Sequence, residues 1–222
     1  MQVEQIWRYP VKSMAGERLE HARIGALGIE GDRVVHVEDA QGHVITARSH
    51  YRLLGHRATL NGSGEPVVDG RLWSDPNVRM DVEDIVGPGA MLVGDDSSDR
   101  FDVLPLLVAT DGAVAAFGHD GRRLRPNLVI GGVEGLAERS WPGQCLHIGE
   151  VIIGIQDLRG RCIMTTFDPD SLKQDRQVLT DIVRRFGGTL ALNCFVILGG
   201  DVRVGDTVEL ARHRQCEAAH AL

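Results

Sequence analysis

Lysine is almost missing from this chain. Only Lys12 and Lys173 occur among its 24 lysine and arginine residues, so nearly all of the positive charge is arginine. A coding bias toward arginine accounts for that total without any function, which leaves the lysine retained at position 12 as the more informative residue. Positive charge is also in the minority: 24 basic against 31 acidic side chains give a formal net charge of -7. That balance excludes a general nucleic-acid binder, because neutralising phosphates needs a basic surface. Any anion site must be local. Long apolar runs are missing too. The start of the chain carries Glu4, Arg8 and Lys12 and no apolar core of signal-peptide length, and no stretch reaches the roughly 20 residues of a membrane span. A cytoplasmic protein with no membrane partner is expected. Cysteine is sparse. Cys145, Cys162, Cys194 and Cys216 form no CxxC pair and have no matching histidine spacing, which excludes a zinc knuckle and a dense disulfide framework. A reducing compartment would keep all four as thiols.

What is present is ordinary globular material, 43% hydrophobic over 222 residues, enough for one well-buried domain or two small interlocked ones. The pattern is mostly β. Short runs at residues 3–7, 33–37 and 67–68 alternate with glycine turns at Gly16, Gly28, Gly42, Gly62 and Gly70, which predicts strands and hairpins rather than βαβ units, in a largely antiparallel sheet. Residues 87–100, GPGAMLVGDDSSDR, read as an exposed loop between two halves. TDGAVAAFG offers Thr110 or Asp111 as a cap for a short helix. The clearest helix spans 176–186, with Val178, Leu179, Ile182, Val183 and Phe186 on one face, Arg184 and Arg185 in the last turn and Gly187-Gly188 as its stop. CFVILGG and VRVGDTVEL read as closing strands.

The stretch RGRCIMTTFDPD, residues 159–170, sets a cysteine between arginines and a β-prone run that breaks at Asp168-Pro169. A lone cysteine is ordinarily a small buried hydrophobe. Here Arg159 and Arg161 favour a thiolate, and Thr165 and Thr166 add hydroxyls. A thiolate is a soft ligand, suited to a metal also held by sulfur. Four further stretches can bind anions: YPVKSM with Lys12 and Ser13, GIEGDR with Arg33, TARSH with Arg48, and RRLRPN with Arg125 and Asn127. One surface arginine is usually a solvated charge; Arg125 stands out because Pro126 biases its backbone toward the extended state. Asp168-Pro169-Asp170 reads as a turn with solvated carboxylates, and His119 and His147 have no spacing that marks a metal site or a triad.

In this order, YPVKSM, GDR, TAR, RPNLVI, RCIMTTFDPD and VRVGDTVEL resemble the MOSC-domain proteins, named for the C-terminal domain of molybdenum cofactor sulfurase, and among them the amidoxime-reducing components and their bacterial relatives. The resemblance implies a mainly β fold, a MOSC-type β-barrel with a few short helices. It implies an N-terminal β-barrel-like segment over 1–90, a MOSC domain over 91–212 and a loose tail over 213–222. It also implies a molybdenum cofactor, Mo-molybdopterin, with Cys162 as metal ligand and catalytic residue, Lys12, Ser13, Arg33, Arg125 and Asn127 holding the pterin and its phosphate, and Arg161 beside the ligand. The implied activity is an oxidoreductase acting on a small-molecule substrate, reducing N-hydroxylated compounds with electrons from a separate donor such as a ferredoxin-type or flavin reductase. The alternatives are a cofactor carrier or sulfur-transfer protein, and a β-barrel that has left the cofactor behind. Two positions depart from the amidoxime-reducing pattern: Arg159 stands where a second cysteine is common, and Leu104-Pro105 stands where a Ser-Pro contributes contacts.

Overall fold

A computed structural model describes residues 1–212. Short strands separated by glycine turns make up the first part of the chain: β1 (Gln2–Arg8), β2 (Glu17–Leu19), β3 (His21–Gly25), β4 (Gly28–Ile29), β5 (Val35–Glu38), β6 (Val44–Ile45), β7 (Ala58–Leu60), β8 (Pro66–Val68) and β9 (Arg71–Leu72), then α1 (Pro76–Val86) and β10 (Met91–Gly94). The remainder runs β11 (Leu106–Thr110), α2 (Asp111–Phe117), β12 (Leu128–Gly131), β13 (Gln144–Ile148), β14 (Val151–Gly160), α3 (Gln177–Phe186), β15 (Thr189–Leu198), β16 (Gly200–Arg203) and β17 (Val208–Arg212).

The mainly β class holds, and eight strands form one sheet in the order β17-β13-β14-β15-β11-β12-β1-β2. Every pairing in it is antiparallel except β11 with β12, which run parallel. Parallel neighbours need a crossover, and α2 lies on the one between them, so a single βαβ unit sits within the expected hairpins. The first strand is placed centrally, between β12 and β2, which carries the chain that follows it to the C-terminal half. The sheet does not close into the expected barrel: its order ends at β17 on one side and at β2 on the other. β2 covers only Ile6 to Arg8 of one edge; at the free end of β1, Gln2 bridges Thr207 and Val3 N donates to Asp206 O at 2.9 Å. Closure stops at that contact.

The large sheet buries Ile6, Leu106, Val108, Leu128, Ile130, Leu146, Ile153 and Leu192 in one cluster. A second core, Val11, Met14, Val35, Val37, Leu53, Val78 and Val82, underlies the small sheet β10-β5-β6 and α1. The residues 91–94 expected in a loop instead pair with β5, Leu92 opposite Val37, because their apolar side chains can cover this core. α1 was not foreseen, although its signals are ordinary: Asp75 accepts from Asn77 N as the cap, Pro76 opens the helix, and Val78 and Val82 face inward. Thr110 caps α2 by accepting from Ala113 N at 3.1 Å. Gly112 is required there, since a Cβ would lie 2.3 Å from Gly135 O.

The β-prone run after Cys162 is not a strand but a 3-10 helix, Ile163–Thr166. Thr165 and Thr166 hydroxyls donate back to Cys162 O (2.8 Å) and Ile163 O (2.6 Å), a local bonding pattern that competes with extended backbone. Cys162 and Cys194 are free thiols. Cys145 lies opposite Ala211 in the sheet. Cys216 and the expected loose tail lie outside the described residues. No helix among the described residues is long and apolar enough to cross a membrane.

α3 stops as expected at Gly187, in the left-handed region at φ 65. Its buried face is narrower than its sequence suggests, because Val178, Ile182 and Phe186 are buried against α2 while Val183 is 57% exposed. Ile182→Ala is therefore expected to cost about 2–5 kcal/mol through the cavity it leaves, and Val183→Ala to stay within about 0.5 kcal/mol. Urea denaturation of the two variants checks this; equal losses would contradict the assigned face.

Candidate functional site

The segment after β1 is fixed by its backbone before any side chain acts. Lys12 N donates to Val35 O at 2.8 Å and Arg33 N to Tyr9 O at 2.8 Å, which lays YPVKSM beside GDR. Ser13 takes a left-handed φ of 71, and its Oγ accepts from Ala47 N at 2.9 Å, anchoring the TAR stretch. On the opposite wall Arg161 N donates to Gly188 O at 2.9 Å, and Cys162 stands two residues past the end of β14. Arg125 is not extended ahead of Pro126. Its φ of 54 is left-handed, and its N–H closes the preceding 3-10 turn on Arg122 O.

Tyr9, which the sequence reading passed over, organises two of the cations. The Arg125 and Arg33 guanidinium carbons lie 4.3 Å and 5.3 Å from its ring centroid, cation–π geometry. Tyr9 N donates to Asp32 Oδ1 at 2.7 Å, and its hydroxyl donates to Pro126 O at 3.2 Å. Burial pushes the Tyr9 phenol up to about 12, against the pull of Arg125 and Arg33, so it stays neutral. Fully buried Asp32 pairs with Arg33. Arg125 Nη2 donates to Met14 O at 2.7 Å, and burial depresses its pKa.

A second centre is Asp102, also unforeseen. Its carboxylate receives Lys12 Nζ at 3.2 Å, Arg48 Nη2 at 2.6 Å and Arg159 Nη2 at 3.4 Å. Burial would raise its pKa, but Lys12, Arg48 and Arg159 outweigh it and hold it below the usual carboxylate range. Arg48 faces the Cys162 sulfur as well. Burial lowers the proton affinity of its guanidinium, but Asp102 and Cys162 outweigh burial and leave it raised. Beside them Arg161 Nη2 donates to Leu124 O at 2.8 Å, while its Nε and Nη1 are buried without a hydrogen-bond partner among the described residues. Its pKa falls to about 10 through burial and then the neighbouring Arg159. Unpaired buried donors of this kind require an acceptor.

Lys12, Ser13, Arg33, Arg125, Arg161 and Cys162 are brought together around one small cavity of about 70 Å³, with Asp102 and Arg159 in its wall. Asn127 is not. Its Oδ1 accepts from Leu107 N at 3.1 Å and its Nδ2 donates to Trp7 O at 3.3 Å, so its amide ties β11 to β1. A larger cavity of about 470 Å³, walled by Trp7, Tyr9, Arg18, Arg57 and Phe167, shares Arg123, Arg125 and Met164 with the small one. No three His, Cys, Asp or Glu side chains among the described residues converge as a metal site. A metal at Cys162 would need ligands carried in with it. The arrangement supplies one soft sulfur donor and a bank of cationic N–H groups, which suits an anionic ligand bearing a thiophilic metal.

The MOSC N-terminal beta barrel domain matches residues 1–84, and the MOSC domain matches residues 113–209. The chain is 25% identical to mitochondrial amidoxime-reducing component 1 of Homo sapiens, covering 94% of this chain and 82% of that protein. It is 24% identical to mitochondrial amidoxime reducing component 2 of Macaca fascicularis, covering 83% and 72%. Among solved structures, the YUAD protein of Bacillus subtilis shares the fold with a TM-score of 0.54 at 12% identity, covering 95% of each chain.

Exposure separates the two free thiols found among the described residues. Cys194 is fully buried and burial raises its pKa far above the ordinary thiol value, whereas Cys162 is half-buried at the cavity wall. Iodoacetamide at neutral pH should alkylate Cys162 in the native protein and reach Cys194 only on unfolding. Peptide mass spectrometry reads this directly, and equal labelling of both would contradict the accessible cavity.

Proposed function

Because the chain belongs to the MOSC family, with a MOSC N-terminal segment ahead of a MOSC domain, we propose that it is a molybdenum-cofactor-dependent oxidoreductase. It reduces N-hydroxylated compounds with electrons from a separate ferredoxin-type or flavin donor. The family is associated with the molybdenum cofactor, and two similar proteins are amidoxime-reducing components by name. The observation that carries the reading is the free, half-buried Cys162 thiol in the wall of a cavity also lined by Lys12, Ser13, Arg33, Arg125 and Arg161.

The residues present fit the cofactor's chemistry. Cys162 offers the soft donor, and the partnerless Nε and Nη1 of Arg161 await acceptor oxygens. Lys12, Arg33 and Arg125 would hold the phosphate and the polar edges of the pterin, and Ser13 can still donate its hydroxyl proton. Asn127 would stay with the sheet. When bound, the cofactor supplies a metal that exchanges two electrons with the substrate.

The chain's own contribution is positioning and electrostatics. Arg48, held on Asp102, and Arg161, adjacent in sequence, put positive charge near the Cys162 sulfur. The Tyr9 ring holds Arg33 and Arg125 in fixed planes. Stacking of Tyr51 on Phe167, with centroids 4.7 Å apart, stiffens one wall of the larger cavity. Conversion of an N–OH to an N–H with release of water consumes two electrons and two protons. Asp102, held ionised by its three cations, accepts hydrogen bonds rather than supplying either proton.

Protein purified from a host with an intact cofactor pathway is expected to contain pterin and about one molybdenum per chain, and to reduce an N-hydroxylated substrate with an artificial electron donor. Cys162→Ala should abolish turnover while Cys194→Ala retains it. Lys12→Ala and Arg125→Ala should weaken cofactor retention by roughly 1.5–3 kcal/mol each. Loaded protein that never turns over would favour a carrier, and protein with neither metal nor pterin would overturn the reading.

A further inference from the structure

Lys12 and Arg48 already serve the reading above, but Asp102, on which they gather with Arg159, has no part in it beyond its ionised state, and the geometry calls for one. The three cations come from distant stretches: Lys12 after β1, Arg48 after β6, and Arg159 near the end of β14. Each places a donor within 3.4 Å of the same carboxylate, Lys12 on Oδ1 and the two arginines on Oδ2. One negative charge stands against three positive ones. Arg161, two residues beyond Arg159, adds a fourth cation with two buried donors unpaired. Gathering cations this closely without full compensation is unfavourable, and one short carboxylate does not balance it. A planar carboxylate whose two oxygens are taken by separate cations also has the shape and charge of a small bound oxyanion.

The residue that supplies this carboxylate sits in a connection rather than in the sheet. Asp102 lies between the 3-10 turn Ser98–Arg100 and β11, next to Val103, which is 49% exposed. Its side chain can leave the cluster without breaking a strand ladder. We infer that Lys12, Arg48 and Arg159 form a site for a small oxyanion beside Cys162, a site that the Asp102 carboxylate fills and that the incoming anion takes over. The ligand is a phosphate-sized oxyanion, either the phosphate of a bound cofactor or the anionic group of a free substrate. Arg159, the residue at which this chain departs from the amidoxime-reducing pattern, is part of the site. The inference rests on the proposed activity only where the anion is a substrate.

The test is calorimetric titration of inorganic phosphate into the full chain, purified from a host unable to make the cofactor, at low ionic strength. Asp102→Asn keeps the shape and removes the competing charge, so phosphate should bind about tenfold or more tighter than to wild type. Arg48→Gln and Arg159→Gln should each weaken it by about tenfold. Equal or weaker binding by Asp102→Asn, with wild-type circular dichroism, overturns the inference, because Asp102 would then build the site rather than fill it. If Asp102→Asn fails to fold, the two arginine variants decide: phosphate affinity unchanged in both overturns the site. The same titration on cofactor-loaded wild type separates the sources. Lost binding assigns the cluster to the cofactor's phosphate, and retained binding assigns it to a free anion. The variant titrations need neither molybdenum nor turnover, so their failure leaves the reductase reading standing.

Discussion

Like-charge repulsion in a confined space is the constraint around which this molecule is arranged. An acidic chain collects Lys12, Arg33, Arg48, Arg125, Arg159 and Arg161 about one small cavity. Burial works against the charge on several of them, and it depresses Arg125, Arg159 and Arg161. Two devices hold the cluster together. Asp32 and the face of Tyr9 fix Arg33 and Arg125 on one side, and Asp102 collects Lys12, Arg48 and Arg159 on the other. Arg161 is left with donors that nothing among the described residues satisfies. The protein is thus set up to take an anion, and Cys162 makes it an anion that can carry a metal.

The sheet topology is what makes the convergence possible. Insertion of β1 between β12 and β2 delivers Tyr9 to Met14 onto the C-terminal half, against RPN and RGRC. The Asn127 amide, bonded to both Trp7 and Leu107, is one of the ties that hold β1 there. Its role is to keep the two halves of the site in register. The parallel β11–β12 pair contributes from the other direction, because its crossover includes α2 and the turn that presents Arg122, Arg123 and Arg125.

Much of this was legible in the sequence wherever the signal is local. The period of Val178, Ile182 and Phe186, the Thr110 cap and the Gly187 stop are near-neighbour effects, and they read correctly. The ordered set of motifs carried the family resemblance, and the fold places six of the seven expected site residues around one cavity. What was missed depends on distance or on competition. Asp102 meets Arg48 and Arg159 across 54 and 57 residues, and nothing in FDVLP announces it. The run at 163–166 has β-forming side chains, but threonine hydroxyls bonding back to Cys162 and Ile163 turn it into a 3-10 helix. Residues 91–94 look like loop because glycine, proline and aspartate flank them, yet β5 offers an edge and a core to cover. Asn127 has the chemistry of a pterin contact and is spent on the sheet. α1 could have been found from Asp75-Pro76 and the valines that follow.

The central claim is that the Cys162 sulfur is the chain's bond to the metal, and X-ray absorption at the molybdenum edge tests it most directly. In protein loaded in a cofactor-competent host, the sulfur shell of wild type should contain one scatterer more than that of Cys162→Ser, with a lighter oxygen-type scatterer taking its place in the variant. Identical sulfur shells in the two loaded proteins would contradict the account.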